Sequence, residues 1–367
     1  MIDNASLLES LLEQGIIRLC DGQLLHKTPA PLPPDFDFTK VEGMLLAVAI
    51  GDSLGATSEG QSPTQRRKNY GEISNYVPGE RSNYKSVGVP TDDTQLTFWT
   101  LKQLIYDGGL IPDNLAKRFC EHRITGIGST VMSFLTNYKD RHQPWYNAGL
   151  DSLGNGALMR ISPILVPYLR EPHRSMYADA ALDAMVTHNS FANTASCVAF
   201  VDILWSLLSM KSPPEPSWWV ETYCAIAKDL EGDTQYNPPA PQYADYKGPL
   251  WQFTHKVVTD ALRRNISVLQ ACDEWGSGAN LFETVPTVLY ILAKYAQNPE
   301  EAIIRAVNDT RDNDSIAAIV GAAVGALHGL EGIPNRWIKG LTGRTKSKDD
   351  GEVFKLILLA KRKMWSQ

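Results

Sequence analysis

Asp312-Asn313-Asp314-Ser315-Ile316-Ala317-Ala318-Ile319-Val320-Gly321 runs from a polar loop straight into an apolar helix. The chain has the same figure far upstream, as Thr91-Asp92-Asp93-Thr94-Gln95-Leu96-Thr97-Phe98-Trp99. Carboxylates and hydroxyls gathered at paired helix starts make a nest of hard oxygens suited to Mg²⁺, Mn²⁺ or Ca²⁺. A chain that uses both stretches together needs a helical scaffold to bring two helix N-termini to one place.

Each stretch alone has a plainer explanation, because Thr and Asp are ordinary N-caps that satisfy free helix N–H groups. Two adjacent aspartates exceed what one cap requires, and like charges side by side cost energy unless a cation offsets them. The second stretch is not an EF-hand loop, since Ala317 and Ala323 stand where that loop needs its glycine and its distal glutamate. Only the pair together favours a metal.

The 367 residues, 43% of them hydrophobic, suffice for one large domain or two ordinary ones with a real core. A net charge of −6, with no basic run longer than Lys361-Arg362-Lys363, argues against a nucleic-acid partner. The five cysteines are scattered and include no CxxC pair, which argues against a disulfide framework and against a zinc site and fits a reducing, cytoplasmic setting. Met1-Ile2-Asp3-Asn4 has neither the basic region nor the apolar stretch of a signal peptide. The apolar run from Ile316 to Leu327 is too short for a membrane span and rich in Gly and Ala, as close helix packing requires.

Leu7, Leu8, Leu11, Leu12, Ile16 and Ile17 give residues 5–19 the stripe of a short amphipathic helix. Lys27-Thr28-Pro29-Ala30-Pro31-Leu32-Pro33-Pro34 reads as a stiff linker. Residues 1–40 therefore form an extension, either docked on its own core or reaching a partner, and residues 41–367 the main domain. Residues 41–60 are an apolar helix with Gly43, Ala47, Gly51 and Gly55, interrupted by Asp52, Ser53 and Glu59. A polar loop is expected over 61–90, then helices near 94–107, 112–123, 129–138, 156–169, 175–187 and 193–209. Long loops at 211–218 and 232–248 flank further helices near 217–230, 249–263, 266–275, 281–296, 299–308, 315–329 and 351–364. No sustained alternation supports a sheet, so the fold class is all-α.

Gly154-Asn155-Gly156-Ala157-Leu158-Met159-Arg160 bares backbone N–H groups before a helix, where they can cradle a phosphate with Arg160 as its ion partner. A Gly-rich turn with an Asn cap explains the same residues. Thr187-His188 lies between two helices, where a His is more often a cap than a catalyst. No Walker loop, HExxH, GxSxG or complete dinucleotide fingerprint is present.

Together these stretches resemble the ADP-ribosylglycohydrolase family. Gly51-Asp52-Ser53-Leu54-Gly55-Ala56-Thr57-Ser58-Glu59 is similar to its GDxxGxxxE helix, Thr91-Asp92-Asp93-Thr94 to its TDDT motif, and Gly154–Arg160 to its GNGxxMR loop. Thr187-His188 is similar to its TH pair and Asp312-Asn313-Asp314-Ser315-Ile316-Ala317 to its DxDTIA motif. The motifs are collinear over about residues 41–330. Ser315 stands for the usual Thr, and Thr310-Arg311 for the usual Gly-Gly.

The resemblance implies a compact multi-helix fold with a binuclear Mg²⁺ (or Mn²⁺) site at the mouth of an ADP-ribose cleft. It makes Thr91, Asp92, Asp93, Asp312, Asp314 and Ser315 the metal ligands. Glu59 and Asp92 become the catalytic carboxylates, either of them the general base. Gly154, Asn155, Gly156, Ala157, Arg160 and His188 line the substrate site, with Trp145-Tyr146 available to stack on adenine. The implied activity is removal of ADP-ribose from modified proteins, arginine first among acceptors. The alternative is an immunity protein that neutralises an ADP-ribosyltransferase toxin through its N-terminal extension. Neither reading calls for a membrane.

Overall fold

The computed structural model describes residues 3–366. Its first helices are α1 (Ala5–Glu13), α2 (Thr39–Gly55), α3 (Pro63–Tyr70), α4 (Asp92–Asp107), α5 (Pro112–Phe119) and α6 (Ser129–Leu135). There follow α7 (Trp145–Ala148), α8 (Ser175–Thr187), α9 (Phe191–Ser209), α10 (Pro216–Glu231), α11 (Leu250–Arg264) and α12 (Val268–Trp275). The last are α13 (Leu281–Tyr295), α14 (Pro299–Asp309), α15 (Asn313–His328), α16 (Asn335–Gly340) and α17 (Glu352–Ala360). Only isolated bridges of β type occur among the described residues, so the all-α expectation holds.

The centre is the antiparallel pair α2 and α15, the most extensive helix contact in the molecule. Small residues every fourth position make it possible: a Cβ on Gly51 would lie 2.2 Å from the Ala317 carbonyl oxygen, and one on Gly321 2.3 Å from that of Ala47. Where α2 ends and α15 begins, a Cβ on Gly55 would lie 2.5 Å from the Asp314 Cα. The backbones meet because nothing larger than hydrogen stands between them. Both helices are buried along nearly their whole length. Helix α9, the one described helix long and apolar enough to cross a membrane, is another core element, 83% buried over its apolar window.

Three departures from the sequence reading have local causes. The first helix stops at Glu13 because Gly15 turns into the left-handed region at φ 64°. The expected helix at 156–169 is two 3₁₀ segments, Leu158–Arg160 and Ser162–Tyr168, because Pro163 and Pro167 remove N–H donors from the α ladder. The loop at 61–90 contains α3, opened by Pro63 and a capping box between Ser62 and Gln65.

The extension lies on the body of the protein. Leu8, Leu11, Ile17, Leu19 and Leu25 are buried in the common core, and the buried Asn4 donates to the Leu110 carbonyl at 2.8 Å and to Asp179 at 2.6 Å. All five cysteines are free thiols.

Candidate active site

The α2–α15 crossing delivers Asp52 near the end of one helix and Asp314 in the first turn of the other. The start of α4 comes in from the side. Asp52 accepts from the backbone N–H of Thr91 at 2.8 Å and of Thr94 at 3.1 Å, and from both hydroxyls. Thr91 is the N-cap of α4, yet its own side chain caps nothing. The helix start is therefore capped from another helix, and Asp92 and Asp93 are left free to face inward.

Carboxylate oxygens of Asp52, Asp93 and Asp314 lie within 4.8 Å of one another. Asp92 and Asp312 face the same cavity, and none of the five makes an ion pair with a basic side chain among the described residues. Burial first, and the neighbouring carboxylates second, hold Asp92, Asp93 and Asp314 well above the usual carboxyl range. Burial raises Asp52 against the four bonds it accepts. It raises Asp312 to about 6, opposed by Asn155. Asp93 Oδ1 is buried without any hydrogen-bond partner. A buried orphan oxygen inside a repelling set of hard donors is what a divalent cation would satisfy, so the residues present fit a metal.

The cavity holds about 200 Å³. One wall is the acidic set, with Glu59 at the rim, 37% exposed and 3.5 Å from Arg81. The opposite wall is Gly154, Asn155, Gly156 and His188. Asn155 joins the two walls, donating to Asp312 at 2.6 Å and to Thr284 at 3.1 Å. His188 Nδ1 pairs with the Thr187 hydroxyl at 2.8 Å, and its Nε2 faces the glycines, 3.2 Å from where a Cβ on Gly156 would stand. Burial and the nearby Arg160 push this imidazole down to about 3, so it is neutral at physiological pH.

Most of the expected site residues meet here, with differences. Asp92, Asp93, Asp312, Asp314 and Ser315 line the cavity, while Thr91 is wholly buried behind them with its hydroxyl donated to Asp52 at 2.7 Å. Ala157 is buried behind the loop. Arg160 is not available to a phosphate. It is fully buried, pairs with Asp183 at 3.4 Å and lies over the Phe119 ring. It also donates to the carbonyls of Gly156 and Asp183, each at 2.7 Å. The reason is the buried Asp183, which draws the guanidinium inward and leaves Arg160 to hold the loop from behind. Trp145 and Tyr146 line a different cavity of about 480 Å³ beside α1 and α5.

Sequence reasoning passed over two features. Asp52 looked like a polar interruption, though its place after Gly51 was the available signal. The loop Gly126-Ile127-Gly128-Ser129-Thr130 supplies more of the cavity wall, and a Cβ on Gly126 would lie 2.9 Å from Asp92 Oδ1. Its paired glycines were the clue.

The family model described as ADP-ribosylglycohydrolase matches residues 33–365. ADP-ribosylhydrolase ARH3 of Xenopus tropicalis is 26% identical, over 86% of this chain and 94% of its own length. ADP-ribosylarginine hydrolase Tri1 of Serratia proteamaculans is 24% identical, over 86% of this chain and 78% of its own. The ADP-ribosyl-(dinitrogen reductase) glycohydrolase of Rhodospirillum rubrum is 24% identical, over 87% and 95%. A solved structure titled ADP-ribosylglycohydrolase-related protein complex aligns with a TM-score of 0.63 at 23% identity, covering 89% of this chain and 98% of that one, a likeness of fold.

Proposed function

Because the chain belongs to the ADP-ribosylglycohydrolase family and is a hydrolase of glycosidic bonds, we propose that it removes ADP-ribose from modified arginine side chains of proteins. One observation carries this: a wall of unpaired carboxylates faces a wall of glycine backbone and a neutral histidine across one small cavity. The first wall suits a cation holding ribose hydroxyls, and the second suits a diphosphate. Two relatives have names that specify ADP-ribosylarginine and ADP-ribosylated dinitrogen reductase as substrates, which supports a protein substrate and arginine as its acceptor.

In this reading Asp92, Asp93 and Asp314 would hold two Mg²⁺ (or Mn²⁺) ions, with Thr91, Asp312 and Ser315 at the same helix starts. Bound there, the ions supply Lewis acidity toward the ribose hydroxyls and a water acidic enough to deprotonate near neutral pH. Asp52 orients the first acidic stretch by fixing Thr91 and Thr94. Asn155 orients the second through Asp312. Glu59, at the open rim, is the carboxylate that meets the leaving guanidine, and Asp92 the one that faces the attacking side. Whichever of them takes the proton from water acts as general base. Neutral His188 and the Gly156 N–H would hold the diphosphate by hydrogen bonds, since the N–H groups of Gly154 and Asn155 are already donated, to the Ser152 hydroxyl at 3.1 Å and the Ala279 carbonyl at 2.9 Å.

The alternative, a toxin-neutralising protein acting through its extension, draws no support. Of the apolar side chains such an arm would offer, Leu8, Leu11 and Ile17 are buried, and Leu7, Leu12 and Ile16 pack partly buried against the same core.

Release of ADP-ribose from an arginine-modified protein, with Mg²⁺ and then with EDTA, tests the proposal. Release that needs Mg²⁺ and vanishes in Asp92→Ala is expected. Equal release in EDTA would overturn the metal role. No release from arginine, with release from serine-linked ADP-ribose, would overturn the acceptor.

A further inference from the structure

Residues 3–32 lie outside the stretch that the family model covers, yet one part of them binds Asn189, the residue next to His188 of the cavity wall. After α1 the chain runs as an extended strap across α8, α9 and α10. The Cys20 N–H donates to the Leu230 carbonyl at 2.8 Å, and the Gln23 N–H to Asp229. At residues 16–18 the strap meets Asn189, the residue after His188. Asn189 Nδ2 donates to the Ile16 carbonyl at 2.8 Å, and its Oδ1 accepts from the Arg18 N–H at 2.9 Å. The Thr194 hydroxyl donates to the Arg18 carbonyl, so Arg18 is held on both sides of its backbone.

The backbone of Asn189 faces the other way. Its N–H donates to the Leu150 carbonyl at 2.7 Å, while the Leu150 N–H donates to the Thr187 carbonyl at 3.0 Å. Residues 187–189 are thus pinned to Leu150 by their backbone and to the strap by the Asn189 amide, with His188 between the two fixings. The His188 ring in turn packs on Gly154 and Gly156. Arg18 and Asp151 also pair at 3.2 Å, but both are about half exposed, and such a pair contributes little. The fixing is done by the amide.

We propose that the strap, residues 16–19, is a working part of the substrate site: through Asn189 it fixes the His188 imidazole against the glycine loop that holds the diphosphate. Asn189 is a positioning residue, acting through His188. The diphosphate half of this statement rests on the ADP-ribose reading above; the positioning half does not.

The test uses the full chain and four proteins: wild type, Asn189→Ala, Thr194→Val and, as control, Asn4→Ala, which loosens the extension at its far anchor. The two readouts are the imidazole ¹⁵N and ¹H shifts of His188 without ligand, and the Kd for ADP-ribose with Mg²⁺. Asn189→Ala is expected to move the His188 signals and weaken ADP-ribose roughly tenfold, the change that losing one or two hydrogen bonds brings. Thr194→Val should do the same to a smaller degree, and it decides the question if Asn189→Ala does not fold. Asn4→Ala should lower Tm and leave both readouts unmoved. Unmoved His188 signals in the two strap variants, or equal effects in all three, would overturn the proposal. If the wild type fails to bind ADP-ribose, the reading of the substrate falls, and the His188 signals still decide the positioning.

Discussion

Asp93→Asn removes one charge from the acidic set and keeps its shape, so it separates the cost of the set from its use. At 4.8 Å a fully charged pair repels by about 3 kcal/mol at an effective dielectric of 20. Asp93 has two such neighbours, Asp52 and Asp314. Raised pKa values mean that in the metal-free protein part of this repulsion is already relieved by bound protons, so a net gain of about 2 kcal/mol is expected. Unfolding entropy of about 2.1 cal/mol/K per residue over 367 residues is about 0.8 kcal/mol/K, which turns that gain into a Tm rise of about 2–3 °C in EDTA.

With Mg²⁺ at a hundredfold excess over its Kd, the wild type gains about 2.7 kcal/mol, or about 3–4 °C, and the variant gains little. The order of the two melting curves therefore reverses between EDTA and Mg²⁺. The pH dependence has a fixed sign. These carboxyls keep protons in the folded state that the unfolded chain releases above about 4. Metal-free stability therefore falls as pH rises through that interval, to about 6 for Asp312 and further for its neighbours. With Mg²⁺ the sign inverts, because protons compete for the ligands. Differential scanning calorimetry over pH 5 to 8 reads all of this. An Asp93→Asn protein that melts below wild type in EDTA, or that keeps its Mg²⁺ shift, would refute the reasoning.

Three other changes test separate parts of the molecule. Glu59→Gln should lower kcat for ADP-ribose release by about a hundredfold or more while leaving the Mg²⁺ shift in Tm intact, since Glu59 is outside the triad. Gly51→Ala should cost at least about 3 kcal/mol in denaturant unfolding, because the added carbon meets backbone rather than a movable side chain. Arg160→Met strands the buried Asp183 and should cost about 3–5 kcal/mol at pH 8. The loss should shrink at pH 5, where the lone carboxyl takes up a proton.

The two acidic helix starts were legible because composition changes sharply there: polar loop, paired Asp, then an unbroken apolar run. Both helices begin within two residues of where that change falls. Helix-forming stretches with clear ends, such as 175–187 and 281–296, came out to within a residue for the same reason. What failed were judgements about direction. Nothing in Gly-Asn-Gly-Ala-Leu-Met-Arg tells that the arginine turns inward, because the cause is Asp183, 23 residues later and on another helix. The role of Asp52 depends on donors 39 and 42 residues away. Helix α3 was missed for a different reason: its capping box and leading proline are local signals, but its body is too polar to show a buried face.

The α2–α15 crossing also sets an order of events during synthesis. Helix α2 is complete by residue 55, but the surface it packs on begins at residue 313, and the strap before it waits for Leu230. At about 5–20 residues per second, the last of the strap's backbone anchors, Leu230, follows Cys20 by on the order of ten to forty seconds. The acidic set is assembled only once Asp312 and Asp314 have joined Asp52 and Asp93, when nearly the whole chain has emerged. Helix α2 packs on a helix more than 250 residues later, and contacts of such long sequence range slow folding and leave the first helix surfaces to be shielded until the last ones arrive.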